Sequence, residues 1–245
     1  MESRASSPGH HIAGPARRQC LRNTESIRIL ESTGQERAMP SRDFIFWEVD
    51  VQADFMLPGG KLYVPGAENI LPNVRKLTDA ARRDEVFLVS SGCFHPANDP
   101  EFKQFPPHCL KGTPGAELVP EALTDNFVRV ENRADASLPE DLFKYQQIIL
   151  EKQTLDVFET RNADALVKRL GTDAEFVVFG VVTEYCVSCA VKGLLQRKRR
   201  VSVVRDAIET LAPQVGDQTL NELQHLGAKL VTTEEILKRL SMAPV

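Results

Sequence analysis

The sequence contains three residues whose side chains could serve as a nucleophile, a base and a cation in one reaction. A cysteine thiolate is a strong nucleophile, and a helix N-terminus or a nearby cation lowers the pKa of the thiol. A carboxylate beside the thiol can accept its proton and later donate it to a leaving amine. Such a set suits acyl transfer from an amide through a thioester. The three candidates are Asp50 in "DVQADF", Lys152 in "EKQTLDVF" and Cys186 in "GVVTEYCV".

Each of the three residues also has an ordinary structural explanation. An Asp that follows a strand is often a turn former, and a Lys at a strand end is commonly solvated. A Cys early in a helix is often a small buried apolar residue. The residue types alone therefore do not separate a catalytic set from three unrelated side chains.

A different chemistry is suggested by the C-x-x-C spacing of Cys186 and Cys189. Dithiol oxidoreductases carry such a pair where a helix begins after a strand. The intervening Val-Ser differs from common redox pairs, and this hypothesis leaves Asp50 and Lys152 without a role. A structural zinc site is a weaker alternative, because only this pair of the five cysteines has ligand spacing. We expect thiols that are free, catalytic or metal-bound, in a reducing, cytoplasmic compartment.

Strand-type and helix-type patterns alternate from residue 43 onward, which predicts parallel βαβ units. We therefore expect one α/β domain over 43–245, with a doubly wound, mainly parallel sheet and helices on both faces. The predicted strands are 44–50, 85–92, 145–152, 175–182, 201–207 and 228–233. The predicted helices are 67–83, 162–171, 184–198 and 214–226.

This topology places the three candidates at one edge of the sheet. Open parallel sheets bind ligands at the carboxyl ends of their strands. Asp50 and Lys152 end predicted strands, and Cys186 opens the helix that follows another. The stretch 91–142 shows little periodicity, and loops of that length in a compact domain are usually functional or disordered.

Composition excludes several classes of protein. The net charge of −4 argues against a nucleic-acid binder. The longest apolar run is about seven residues, whereas a membrane span needs about 20.

Residues 1–42 are rich in Ser, Gly, Pro and Arg, and we expect a disordered extension. An Arg-rich transit peptide and a translation start at Met39 are the alternatives for this segment. The expected partner is a small molecule, and a homo-oligomer is compatible with the sequence.

Four motifs in the same order resemble those of the isochorismatase-like cysteine hydrolases, and among them the nicotinamidases. The first is "DVQADF", which matches the family pattern D-x-Q-x-D-F. The lysine and cysteine motifs match as well, and the segment "FPPHCLKGTPGAEL" resembles a nicotinamidase pattern that contains His and Cys. The resemblance extends from about residue 44 to residue 233.

The resemblance implies hydrolysis of a carboxamide, with nicotinamide as the expected substrate and NAD salvage as the expected context. Another small amide or a vinyl ether is the alternative within the family. Cys186 would be the nucleophile, Asp50 the proton carrier and Lys152 the electrostatic partner of both. The family's non-proline cis peptide would fall between Val181 and Val182. The remaining implied residues are the oxyanion-hole amides of Val182 and Cys186 and the pocket residues Phe55, Phe105 and Tyr185.

The resemblance also implies a divalent metal, Zn, Fe or Mn, beside the nucleophile. Its expected ligands are His95, His108 and Glu101. Cys93 stands where the family has a ligand Asp. Cys93 could be a soft thiolate ligand, or it could be a spectator beside the other ligands, or it could mark a site that no longer binds metal. We favour the spectator. Phe105 replaces a Trp of the family pattern, so the size of the pocket is open.

Overall fold

The computed structural model describes residues 41–242, with side chains from Asp43 onward. These residues belong to one compact unit. The predicted disordered extension lies outside the described residues except for its last two positions, so it stays a prediction.

A seven-stranded sheet forms the centre of this unit, in the order β3-β4-β2-β1-β5-β6-β7. Each pair of neighbouring strands is parallel, as predicted. The strands are β1 Ser41–Val49, β2 Val86–Cys93, β3 Phe127–Val130, β4 Gln147–Lys152, β5 Glu175–Gly180, β6 Arg200–Ile208 and β7 Lys229–Val231.

Helices cover both faces of the sheet, which confirms the doubly wound architecture. Buried residues of α2 and α6 join the apolar cluster on one face, and those of α3, α4 and α5 join the cluster on the other. None of the described helices has the length and apolar content that a bilayer span requires. The helices are α1 Ala53–Met56, α2 Leu71–Arg82, α3 Arg161–Arg169, α4 Ser188–Gln196, α5 Pro213–His225 and α6 Thr233–Ser241.

Three of these elements were not predicted, and the first is the four-residue helix α1. Strand β3 is a four-residue edge strand with mostly exposed or half-buried side chains, so it lacks the apolar run of a buried strand. Helix α6 begins with a capping box, in which the Thr232 hydroxyl accepts from the amide of Glu235 and the Glu235 carboxylate accepts from the amide of Thr232. The T-x-x-E spacing was a sequence signal for this helix start. Because β3 precedes it, the strand that ends at Lys152 is the fourth along the chain.

The register of the central strands brings four chain segments to the same edge. Val49 at the end of β1 pairs with Ser91 of β2 and with Gly180 of β5. Cys93 at the end of β2 pairs with Lys152 at the end of β4. The carboxyl ends of β4, β2, β1 and β5 are therefore neighbours, and the candidate residues follow at these ends.

Gly180 allows β5 to pass closely beside β1 at this edge. Its φ of +116° lies in the region that side chains other than glycine rarely adopt. A Cβ atom at this position would lie 2.0 Å from the carbonyl oxygen of Val49. The same carbonyl accepts a hydrogen bond from the Val181 amide at 2.9 Å. A larger residue at Gly180 would displace the turn that carries Cys186.

A carboxyl group is buried in the middle of the sheet at Glu48, two residues before Asp50. Its Oε2 accepts a hydrogen bond from the Ser90 hydroxyl at 2.7 Å. Its Oε1 is buried and has no partner within the described part of the chain. Burial raises the pKa of Glu48 to about 8, although the Ser90 hydrogen bond and the charge of Arg82 oppose this shift. The folded protein therefore holds this group as the neutral acid at neutral pH.

Glu48→Gln should make the folding stability less dependent on pH. The wild type binds the Glu48 proton more tightly when folded, so its stability falls as the pH rises from about 4.5 to about 8. Because Gln mimics the neutral acid, the stability of the variant relative to wild type should rise by on the order of 4 kcal/mol across this range. Urea unfolding at several pH values measures this difference.

Glu85→Gln is the matched control, because Glu85 is an exposed carboxylate at the start of the neighbouring strand region. Its unfolding curves should follow those of the wild type over the same pH range. A stability difference between Glu48→Gln and wild type that stays constant with pH would contradict the assignment of a neutral Glu48.

Candidate active site

The amine of Lys152 lies at the centre of the candidate site and contacts one carboxylate and two thiols. Its Nζ is 2.9 Å from Oδ2 of Asp50 and 3.4 Å from Sγ of Cys186. It is also 3.0 Å from Sγ of Cys93 and donates to the Thr154 carbonyl at 3.1 Å. The structure thus brings together the three residues predicted from separate motifs, and it adds Cys93 as a fourth.

Burial and charge determine the protonation of this cluster. Burial alone would lower the pKa of Lys152, but the charge of the Asp50 carboxylate raises it well above its usual value. Burial and the Asp50 charge raise the pKa of the Cys186 thiol, and Lys152 offsets only part of this rise. The resting nucleophile is therefore a thiol, whereas the sequence suggested a thiol with a lowered pKa. The second oxygen of Asp50, Oδ1, is buried without a partner among residues 41–242.

The turn between β5 and α4 positions Cys186. The Val181–Val182 peptide is cis, as the resemblance implied, and a π-helical turn over Thr183–Val187 follows it. The Thr183 amide donates to the Glu209 carbonyl at 2.9 Å. Within the described residues, the neighbouring amide of Val182 makes no backbone hydrogen bond outside regular elements. This amide is available to an oxyanion.

A cavity of about 100 Å³ lies over Cys186 and is lined mainly by apolar and aromatic side chains. It includes the three predicted pocket residues. Phe105 and Tyr185 meet edge to face, with ring centroids 6.4 Å apart, and Tyr185 is 37% exposed at the mouth. Phe55 packs against His108 at 5.3 Å between ring centroids. Further lining comes from residues that the sequence did not single out: Leu62, Tyr63, Val64, Leu155 and Leu211.

The two candidate histidines are adjacent, with ring centroids 4.8 Å apart. Nδ1 of His95 pairs with Oδ2 of Asp99 at 3.0 Å, and Nδ1 of His108 bonds the Pro106 carbonyl at 2.8 Å. A proton on each Nδ1 leaves each Nε2 with a free lone pair, which is the usual arrangement of metal-binding histidines. Burial lowers the pKa of His108, which favours the neutral ligand form.

The other candidate ligands divide between two groups of donor atoms. Cys93, His95 and His108 form one group whose ligand atoms all lie within 4.8 Å of one another, and His95, Asp99 and Glu101 form the other. Nε2 of His95 is buried and has no hydrogen-bond partner in the described chain. This unpaired nitrogen and the neighbouring ligand atoms of Cys93 and His108 fit a divalent cation. Glu101 lines the same cavity, but its carboxylate groups with Asp99 instead of His108.

Sequence reasoning missed Gln52, which fastens the end of β2 to the first motif. Its Oε1 accepts from the Cys93 amide at 2.7 Å. Its Nε2 donates to the Cys93 carbonyl at 2.5 Å and to the Ala116 carbonyl at 2.6 Å. Gln52 is part of the motif "DVQADF", but only its side-chain contacts show that it positions Cys93.

Asp54 of the same motif holds the loop that carries His108. Its Oδ2 accepts from the Cys109 amide at 2.7 Å, and its Oδ1 accepts from the Lys61 amide at 3.1 Å. A Cβ atom on Gly115 would lie 2.3 Å from this carboxylate. Gly115, the second glycine of "GTPGAEL", is therefore required for Asp54 to approach the loop.

The two cysteines of the C-x-x-C spacing line two different but adjoining depressions. Cys186 is buried and lines the cavity over the Lys152 cluster. Cys189 is a free, half-buried cysteine and lines an adjoining groove beside Asp156 and Glu159, which shares Phe105 and Leu155 with that cavity. This arrangement favours a single nucleophile over a dithiol pair.

Comparison with known proteins identifies the class to which this fold and site belong. Residues 46–142 and 125–235 match the family model of the isochorismatase domain. The chain belongs to the isochorismatase family and is an enzyme of the amidase/hydrolase class.

Individual relatives are nicotinamidase-like. A nicotinamidase of Escherichia coli is 25% identical over 79% of this chain and 96% of its own length. A relative from Arabidopsis thaliana, named as a "probable inactive nicotinamidase", is 23% identical over 76% of this chain and 91% of its own. The solved pyrazinamidase of Pyrococcus horikoshii in complex with zinc is 28% identical, with a TM-score of 0.61 over 78% of this chain and 99% of that one.

Gln52→Ala should destabilise the protein by about 2–4 kcal/mol, because three hydrogen bonds to buried backbone groups are lost at once. Urea unfolding measures the change. Gln104→Ala is the matched control, since Gln104 is exposed, and its stability should stay within about 0.5 kcal/mol of wild type. A Gln52→Ala protein as stable as the control would show that Gln52 does not hold the end of β2.

Proposed function

We propose that this enzyme hydrolyses nicotinamide to nicotinate and ammonia through a thioester on Cys186. The observation that carries the proposal is the buried Lys152 amine, which contacts both the Asp50 carboxylate and the Cys186 thiol beneath an aromatic cavity. A reaction of this kind would contribute to NAD salvage.

Acylation begins with the proton of the Cys186 thiol. Because the pKa of this thiol is raised, it needs a base, and Asp50 offers a buried carboxylate oxygen without another partner in the described chain. Transfer of the proton to Asp50 frees the thiolate to attack the carboxamide carbon. The proton transfer moves the negative charge from Asp50 to the Cys186 sulfur, where the Lys152 ammonium stabilises it.

The tetrahedral intermediate carries its negative charge on the former carbonyl oxygen. The amides of Val182 and Cys186 are the proposed donors to this oxyanion, which backbone N–H groups stabilise well in a buried site. The intermediate collapses when Asp50 returns its proton to the amine, and ammonia leaves. The acyl group stays on Cys186 as a thioester.

Deacylation uses the same groups with water as the nucleophile. Asp50 accepts a proton from water as the oxygen attacks the thioester carbon. The second tetrahedral intermediate releases the carboxylic acid and the Cys186 sulfur, which recovers a proton from Asp50. The chain thus needs one proton carrier for both half-reactions, and Lys152 keeps it beside the sulfur.

The cavity supports a small aromatic substrate. A volume of about 100 Å³ suits a single ring with a carboxamide. Phe55, Phe105 and Tyr185 would form walls against the ring faces and edges. Another small amide is the alternative substrate, because Phe105 and Cys93 both depart from the family pattern.

We also propose that the enzyme binds a divalent cation, Zn, Fe or Mn, beside the nucleophile. His95 and His108 would hold it with Glu101, and Cys93 is a further candidate. When bound, the cation would supply a coordination position for the ring nitrogen of a pyridine amide. The protein's own contribution is to fix each histidine through its Nδ1, by Asp99 in one case and by the Pro106 carbonyl in the other.

Cys186→Ala should reduce ammonia release from nicotinamide by at least about a thousandfold, because the covalent nucleophile is removed. A coupled ammonia assay measures the rate. Cys189→Ser is the matched control and should retain wild-type activity. A dithiol oxidoreductase would instead lose its activity when either cysteine is replaced.

Activity at the wild-type level in Cys186→Ala would refute the thioester mechanism. Background rates on nicotinamide together with clear ammonia release from another small amide would refute the substrate assignment alone.

Purified protein should contain a divalent metal that depends on the two buried histidines. His95→Asn and His108→Asn should each lower the bound metal or its affinity by about tenfold or more, as measured by elemental analysis. His225→Asn is the matched control, because this histidine is exposed on α5 and its Nδ1 bonds the Asn221 carbonyl. Equal metal content in all four proteins would contradict the site.

A further inference from the structure

We propose that Cys93 is a thiolate ligand of the metal site, and that it makes this site selective for soft divalent cations such as zinc over manganese. The inference rests on the metal site of the proposed function and assigns to it a ligand that differs in chemistry from the carboxylate of the family pattern.

The donor atoms of Cys93, His95 and His108 are close enough for one cation. All three lie within 4.8 Å of one another, and all three residues are buried. Ligand bonds of 2.0–2.3 Å place two donors on one zinc ion about 3–4 Å apart. Small rotations of the three side chains would therefore complete the group.

His95 gives an independent indication that a ligand binds here. Its Nε2 is fully buried and has no hydrogen-bond partner in the described chain, although Nδ1 is fixed by Asp99. An unpaired buried acceptor is energetically unfavourable. A cation held between this nitrogen and the Cys93 sulfur would remove that cost.

The backbone around Cys93 holds its sulfur in place. Gln52 bonds both the amide and the carbonyl of Cys93, and the strand register aligns Cys93 with Lys152. Glu101 lies in a 3₁₀ turn and groups with Asp99 and His95 instead of His108. The better-positioned anionic donor for both histidines is thus the sulfur of Cys93.

Ligation requires the Cys93 thiol to lose its proton, which passes to solvent as the cation binds. Lys152 can keep its 3.0 Å contact, because an ammonium donates readily to a ligated thiolate. One thiolate and two imidazoles form a donor set typical of zinc, whereas manganese prefers carboxylate and water. Lys152 would then contact two sulfurs with separate roles, a ligand in Cys93 and a nucleophile in Cys186.

Cobalt substitution of the full-length protein tests the sulfur ligand directly. Metal-free wild type reconstituted with Co²⁺ should show a sulfur-to-cobalt charge-transfer band in the near ultraviolet. Cys93→Ser and Cys93→Asp should lose this band and keep the visible bands of bound cobalt. Cys186→Ala and Cys109→Ser are the matched controls for the other buried cysteines, and both should retain the charge-transfer band.

Competition between metals tests the selectivity. The preference for Zn²⁺ over Mn²⁺, measured as the ratio of dissociation constants, should fall by about tenfold or more in Cys93→Asp. An unchanged ratio would overturn the selectivity, and circular dichroism of each variant verifies its fold. Zinc-edge X-ray absorption of the wild type needs no variant and should show one sulfur among the ligands.

Several results would overturn the inference. These are bound cobalt without a charge-transfer band in wild type, a band that persists in Cys93→Ser, or a zinc spectrum without sulfur. Failure of the proposed function is distinguishable, because loss of nicotinamide hydrolysis leaves the cobalt spectrum intact. Conversely, hydrolysis with no sulfur ligand would remove only the role of Cys93.

Discussion

The buried ammonium of Lys152 is the interaction on which the rest of the site depends. An isolated charge in a protein interior costs several kcal/mol, which only close partners can offset. The Asp50 carboxylate at 2.9 Å and the Thr154 carbonyl at 3.1 Å provide them. The sulfurs of Cys93 and Cys186 complete the surroundings. Because these partners come from neighbouring strand ends, the sheet must bring β4, β2, β1 and β5 to the same level.

A single short segment, residues 50–55, organises this edge. Asp50 reaches Lys152, Gln52 reaches the end of β2, and Asp54 reaches the loop that carries His108. These contacts are made by alternate residues after β1, so one turn of chain ties three parts of the site together. The nucleophile is positioned separately, by the cis Val181–Val182 peptide and the π-helical turn that follows.

Much of this arrangement was predictable from local patterns. Strands β1, β2, β4, β5 and β6 were found because buried parallel strands are continuous apolar runs. The three central residues were found because each lies in a motif at a strand end. Strand β3 and helices α1 and α6 were missed, since β3 is a short edge strand, α1 has only four residues and α6 depends on a capping box. Gln52 and Asp54 were not recognised, because they bond groups that are distant in sequence. Asp99 lies only four residues after His95, but its contact with the ring nitrogen depends on how the loop folds.

The sequence by itself determined the alternation of strands and helices and the chemical types at the site, since residue type and hydrophobic period are local properties. Only the tertiary structure decided the protonation and partners of those groups. Burial makes Cys186 a thiol at rest, and the strand register places Cys93 against Lys152. The grouping of Cys93 with the two histidines likewise required the fold. Distances and desolvation depend on which segments pack together, and this information is absent from any one motif.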